Sequence, residues 1–284
     1  MKHLFLVFLS VTFLISCKKE DTPSETATSK TMLDVAYGSD PLQKMDVYLP
    51  ANRSATNTKV IVMIHGGAWS LGDKSDFNSF VDSLQQRLPE YAIVNINYRL
   101  ANFGRNNFPT QENDTKASIE YLYSKRSEYF ISDKFVLVGA SAGAHLALLQ
   151  AYKYSSPVKI KAVVDFFGPT DMIDLYNNPG TVPQASIEAI VGATPTSNPD
   201  LYENSSPLHF VTNQSCPTII LQGGNDPLVN PVSQSGALKD KLDLFDVAHQ
   251  YVLYPGKGHG DDWDNATYFD AFNKIQAFLA ANVF

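Results

Sequence analysis

The sequence predicts an α/β protein: one mostly parallel, eight-stranded sheet with helices on both faces and a small cap inserted near one end. Two observations carry this. From residue 60 onward, short apolar runs alternate with longer stretches of helical period, the pattern of strands joined by crossover helices. Those runs are apolar at successive rather than alternate positions, so each strand is covered on both faces.

Taken in order, residues 32–37 and 44–49 read as the first two strands. Gly38-Ser39-Asp40-Pro41 between them is a turn cluster, which makes the pair an antiparallel hairpin. Residues 60–64 are the third strand. In residues 76–88, Phe77, Phe80, Val81, Leu84 and Leu88 recur at helical spacing. A strand at 92–96, a helix at 112–123, a strand at 134–138 and an Ala/Leu-rich helix at 144–154 follow, then a strand at 162–167. Residues 168–210 break the rhythm, with prolines at 169, 179, 183, 195, 199 and 207 and only short helical runs such as 186–191. An excursion this long between two core strands is usually functional, and residues 169–210 are expected to form the cap. The core resumes with strands at 218–221 and 250–254 and closes with an amphipathic helix at 266–281. No internal repeat or second domain boundary appears, so residues 32–284 read as one domain.

The N-terminus reads as a targeting segment. A short basic head, an apolar run from Leu4 to Ile15 and Leu14-Ile15-Ser16-Cys17 resemble a bacterial lipoprotein signal, in which Cys17 receives the lipid. Residues 1–16 would be the signal and 17–31, rich in Ser, Thr and Pro, a flexible tether. The expected location is therefore the bacterial cell envelope, anchored to a membrane, with the outer membrane or cell surface favoured by the charged Lys18-Lys19-Glu20-Asp21 that follows. Net charge is -7 with no basic cluster, which argues against a nucleic-acid partner. The remaining cysteine, Cys216, precedes a strand and reads as a buried structural thiol. No histidine pair has metal-ligand spacing, and no phosphate-loop or dinucleotide fingerprint is present, so no metal or cofactor is expected. Oligomeric state is left open by the sequence.

Four motifs carry chemistry. Gly139-Ala140-Ser141-Ala142-Gly143 sits between a strand and a helix, the form of a nucleophile elbow, in which side chains at either glycine would collide with neighbouring backbone. His65-Gly66-Gly67-Ala68-Trp69 follows the third strand, where backbone N–H groups can turn toward a developing oxyanion. Gln222-Gly223-Gly224-Asn225-Asp226 ends the seventh strand and offers an acid; Asp171, after the sixth strand, is its rival. Gly256-Lys257-Gly258-His259-Gly260 follows the last strand and offers a base. Among the other histidines, His65 is expected to brace its loop, and His145, four residues beyond Ser141 on the same helix, is poorly placed to reach the hydroxyl.

These motifs, in this order, resemble the α/β-hydrolase superfamily, and more narrowly the bacterial feruloyl-esterase-domain-like and hormone-sensitive-lipase-like carboxylesterases. Asn97-Tyr98-Arg99-Leu100 and Phe167-Gly168-Pro169-Thr170-Asp171 match further segments of that branch, and the resemblance spans residues 31–284. It implies an α/β-hydrolase fold and a serine esterase with Ser141 as nucleophile, His259 as base and Asp226 as orienting acid. The N–H groups of Gly67, Ala68 and Ala142 would form the oxyanion hole. Ala68 replaces the family's third glycine, which keeps the donor and narrows the pocket. Trp69, Tyr98, Trp263, Phe167 and Tyr176 are candidate pocket walls. The expected substrate is a small neutral ester, with acetyl or feruloyl esters of carbohydrates as candidates, because Asp261, Asp262 and Asp264 beside His259 disfavour anions. An arylformamidase, a serine peptidase, or an inactive surface glycan-binding lipoprotein are the alternatives.

Overall fold

The computed structural model describes residues 27–102 and 104–284. Its strands are β1 (Lys30–Ala36), β2 (Lys44–Leu49), β3 (Lys59–Ile64), β4 (Tyr91–Ile96), β5 (Phe135–Ala140), β6 (Ala162–Phe166), β7 (Thr218–Gly223) and β8 (His249–Tyr254). They form one sheet in the order β1-β2-β4-β3-β5-β6-β7-β8. The β1–β2 and β2–β4 pairs are antiparallel, and every pair from β4 to β8 is parallel. This is the expected fold class, that of the α/β hydrolases.

The continuous apolar runs are explained by two separate cores. Strand β3 turns Val60, Val62 and Ile64 into one cluster and Ile61 and Met63 into the other, with all five fully buried. Taking each such side chain out of water contributes about 1.5–3 kcal/mol. Helices α2 (Thr110–Tyr129) and α3 (Ala142–Lys153) cover the first face; α1 (Asn78–Arg87) and α8 (Asn265–Asn282) cover the second.

Several boundaries differ from the sequence reading for local reasons. Residues 74–77 form a separate 3₁₀ turn ahead of α1, capped by Asp73, whose side chain accepts the Ser75 N–H. Helix α2 runs six residues past the expected end, to where Phe130 closes it in the left-handed region. Helix α7 (Ala237–Leu244) was not anticipated, since only Leu238 and Leu242 are buried and one such pair gives a weak periodic signal. Strand β1 starts at Lys30, so the last two residues assigned to the tether belong to the sheet. The signal segment and Cys17 lie outside the described residues. Among the described residues, no helix is long and apolar enough to cross a membrane.

The excursion between β6 and β7 contains three short helices, α4 (Met172–Asn177), α5 (Gln184–Val191) and α6 (Pro199–Asn204). Their apolar residues Met172, Leu175, Ile187, Ile190, Val191 and Tyr202 join the α2/α3-side core. Asn107 Nδ2 donates to the carbonyls of Ala189 and Ile190, and Phe108 N donates to Ile190 O at 3.1 Å, which fastens α5 to the loop after β4.

Candidate active site

Ser141 stands between the last residue of β5 and the first of α3, with φ 53 and ψ -120. Holding an L-residue there costs on the order of 1–3 kcal/mol, and the surrounding backbone enforces it. Ser141 N donates to Phe166 O at 2.8 Å, and Ser141 O accepts from His145 N at 3.0 Å. The flanking glycines are required by contact. A Cβ at Gly139 would lie 2.3 Å from Gly143 O, and one at Gly143 would lie 1.9 Å from Ile64 O. The elbow therefore packs directly on β3, the strand that feeds the second motif.

The parallel sheet brings the ends of β5, β7 and β8 to one edge, and with them the three candidate residues. His259 Nε2 lies 2.8 Å from Ser141 Oγ, and His259 Nδ1 lies 2.7 Å from Asp226 Oδ2. With Nδ1–H donating to the carboxylate, Nε2 is left to accept the serine proton. Burial alone would push the Asp226 carboxyl up. The hydrogen bond and charge of His259, together with the N–H groups of Val229 and Leu228 at 2.9 and 2.8 Å, outweigh it and hold the group below its usual range. Gln222 Nε2 donates to Asp226 Oδ2 at 3.0 Å and is itself held by Ser235. The rival Asp171 is committed elsewhere: its Oδ1 caps α4 by accepting from Ile173 N and Asp174 N.

The loop after β3 turns through three successive positive-φ residues, Gly67 (φ 101), Ala68 (φ 48) and Trp69 (φ 56). Left-handed backbone at the two non-glycine positions costs about 1–2 kcal/mol each. Gly67 O accepts from Ser70 N and Leu71 N, while the N–H groups of Gly67 and Ala68 make no backbone hydrogen bond among the described residues. Ala142 is the first residue of α3, so its N–H has no partner within the helix. His65 braces the loop from below. Its ring stacks on Tyr98 at 4.3 Å, its Nδ1 meets Gly66 O at 2.7 Å, and burial lowers its pKa.

A cavity of about 690 Å³ opens over Ser141, bordered by Gly67, Ala68 and His259. From the cap it takes aliphatic walls, Leu175, Val182, Ile187 and Ile190. From the opposite face it takes Phe77, Phe80, Phe166, Phe167 and Tyr268, with the carboxylates of Asp76 and Asp261. Such an apolar hollow with a few convergent polar groups is typical of small-molecule sites.

Three of the five pocket walls expected from the sequence are corrected. Tyr98 is fully buried beneath the loop, where its hydroxyl donates to His65 O at 2.9 Å. Trp263 is buried among Phe167, Tyr254 and Tyr268, and its Nε1 donates to Gly258 O at 3.1 Å. Both support loops of the site from behind and do not border the cavity. Tyr176 likewise packs edge-on against Tyr202 in the cap. Trp69 and Phe167 do border the cavity. The acidic trio also divides. Asp262 accepts the Gly258 N–H, Asp264 caps α8 and pairs with Lys257, and only Asp261 faces the cavity.

His145 has contacts that its position in the sequence does not reveal. Fully buried, it accepts from Trp69 Nε1 at 3.1 Å through Nδ1 and meets Ser205 O at 2.7 Å through Nε2. Because indole only donates, Nδ1 must be the bare nitrogen and Nε2 must carry the proton. Burial holds the ring neutral, with its pKa pushed down to about 4. Cys216 is buried as expected, its thiol pushed up to about 12 by desolvation.

The family model described as BD-FAE matches residues 45–242. The chain is 30% identical over 237 residues to the probable carboxylic ester hydrolase LipM of Mycobacterium tuberculosis, covering 78% of this chain and 53% of LipM. Among solved structures, a truncated carbohydrate esterase from gut microbiota superposes with TM-score 0.74 at 25% identity, covering 91% of this chain and 99% of that one. A protein described as bifunctional GH43-CE from Bacteroides eggerthii gives TM-score 0.75 at 28% identity over 88% of this chain and 38% of its own. The chain spans 50–59% of the length of the curated relatives it matches.

Proposed function

The chain belongs to the BD-FAE family, and from that premise we propose that it is a serine carboxylic ester hydrolase acting on small neutral esters. The observation that supports this reading most is the unbroken line Asp226–His259–Ser141, with hydrogen bonds of 2.7 and 2.8 Å, opening into an apolar cavity. In the proposed mechanism, His259 Nε2 takes the Ser141 proton as Oγ attacks the ester carbonyl carbon. The N–H groups of Gly67, Ala68 and Ala142 receive the negative oxygen, each worth roughly 3 kcal/mol in acyl transfer. As the C–O bond to the alcohol breaks, Nε2 returns the proton to the leaving oxygen. Water, deprotonated by the same nitrogen, then attacks the acyl-enzyme and frees Ser141.

The gut carbohydrate esterase among the structural neighbours favours a sugar as the alcohol, with acetyl or feruloyl as the acyl group. The resemblance of residues 1–17 to a lipoprotein signal favours an enzyme anchored in the cell envelope through Cys17. A fluorophosphonate probe tests the chemistry: it should label the protein and fail on Ser141→Ala. Release assays with a p-nitrophenyl acetate, a formanilide and a dipeptide anilide should favour the ester, and turnover led by either amide would replace the esterase reading. Metabolic labelling with an alkyne fatty acid tests the anchor, and equal labelling of Cys17→Ala would remove it.

A further inference from the structure

The loop that carries Gly67 and Ala68 holds two consecutive non-glycine residues in left-handed backbone. Strained backbone of this kind persists only where its surroundings over-determine it. Here the surroundings are identifiable. Trp69 O accepts from Ala101 N at 2.9 Å, its ring meets Phe108 edge-on at 5.8 Å, and its indole N–H is bonded to His145. His145 is anchored in turn from three directions. Its backbone N–H is tied to Ser141 O, its ring packs edge-on against Phe108 at 5.4 Å, and its Nε2–H meets Ser205 O at the base of the cap. A histidine filling volume alone would not have both ring nitrogens bonded to two different segments.

We infer that His145 is a positioning residue for the oxyanion loop: it ties Trp69, and with it the strained Ala68–Trp69 backbone, to the helix that carries the nucleophile. The inference rests on the esterase reading and deepens it. His145 touches no reacting atom. It sets the distance between Ser141 and the donors of Gly67 and Ala68, so its loss acts where charge develops on the oxygen and leaves ground-state binding largely intact.

The test compares four proteins on p-nitrophenyl acetate: wild type, His145→Leu, His145→Asn and Trp69→Phe. Asn offers an amide oxygen near the Nδ1 position and can still accept from the indole; Leu cannot. His145→Leu is expected to lower kcat about 100-fold with KM within about 3-fold, the range for losing one oxyanion donor. His145→Asn should recover most of that loss. Trp69→Phe removes the same bond from the other end while keeping His145 itself, so it should lower kcat in the same direction even if the histidine variants fold poorly. A trifluoromethyl ketone, which adds to the serine as a tetrahedral oxyanion, should bind each variant more weakly in proportion to its loss of kcat/KM.

Equal losses in the Leu and Asn variants, a rise in KM at constant kcat, or unchanged affinity for the ketone would each overturn the inference while leaving the esterase intact. Absence of turnover and of probe labelling in the wild type would instead remove the esterase reading and this one with it.

Discussion

Asp165 and Gly168 are joined by a 2.8 Å hydrogen bond from the Gly168 N–H to Asp165 Oδ1, while Asp165 Oδ2 is buried without a partner. The residue pairs with Gly139 across β5 and β6, beside the elbow. Desolvation pushes its pKa up to about 7, and the Gly168 N–H offsets only part of that. The sign of the consequence follows. Between about pH 4 and pH 7 the folded protein keeps a proton the unfolded chain has lost, so stability falls as pH rises through that window. Asp165→Asn removes this dependence. Its stability relative to wild type should improve from pH 4 to pH 7, by up to a few kcal/mol, and then level off. Calorimetric melting of both proteins across that range checks this, and a pH-independent difference would contradict it.

Gly143→Ala should be among the most damaging substitutions in the chain. The added methyl would meet the Ile64 carbonyl, part of the central strand, at 1.9 Å. Backbone cannot move aside as a flexible side chain can, so a loss of more than about 3 kcal/mol is expected, with melting and expression as readouts. A variant that melts within a few degrees of wild type would show that the elbow and β3 are not packed as described.

Replacing Asp226 by Asn should leave the fold in place and cost about 10³–10⁴ in kcat. The N–H groups of Leu228 and Val229 would hold the amide oxygen at the Oδ1 position, so the amide N–H would face Nδ1 and favour the wrong imidazole tautomer. Steady-state kinetics alongside an unchanged circular dichroism spectrum is the measurement. Since the Asp226 pKa is held below its usual range, its stabilising pairing is present above about pH 4 and is lost as pH falls further.

Phenyl acetate should turn over faster than 4-carboxyphenyl acetate. Asp76 and Asp261 both border the cavity, and the whole chain carries a charge of -7. The gap should narrow in Asp261→Asn and at high salt, because Asp261 is exposed and its field is screened. Equal rates at low salt would count against electrostatic selection at this site.

The parts of the site legible in the sequence are those tied to strand ends. Ser141, Asp226 and His259 each follow an apolar run, so the parallel sheet obliges them to share an edge. Trp69 and Phe167 also border the cavity. Tyr98 and Trp263 look like equally good walls in sequence, yet their orientation depends on hydroxyl and indole partners (His65 O and Gly258 O) that only tertiary packing brings near. The cap was visible as an interruption with one helical run, at 186–191, which is α5; α4 and α6 span only six residues each and show too little periodicity. His145 was discounted because it cannot serve as the base, and nothing in its spacing reveals that Trp69 and Ser205 lie on either side of it.

The connection between β6 and β7 has one more consequence. Parallel neighbours require a crossover from the end of one strand to the start of the next, and here the cap is that crossover. Its first part crosses the cavity, and its return, residues 199–217, delivers the chain to β7. Divergence in substrate preference is therefore harnessed to folding. Lineages, or a protein engineer, can exchange side chains of α4 and α5 and the turns between them. Excising the segment would leave β7 without a route into the sheet.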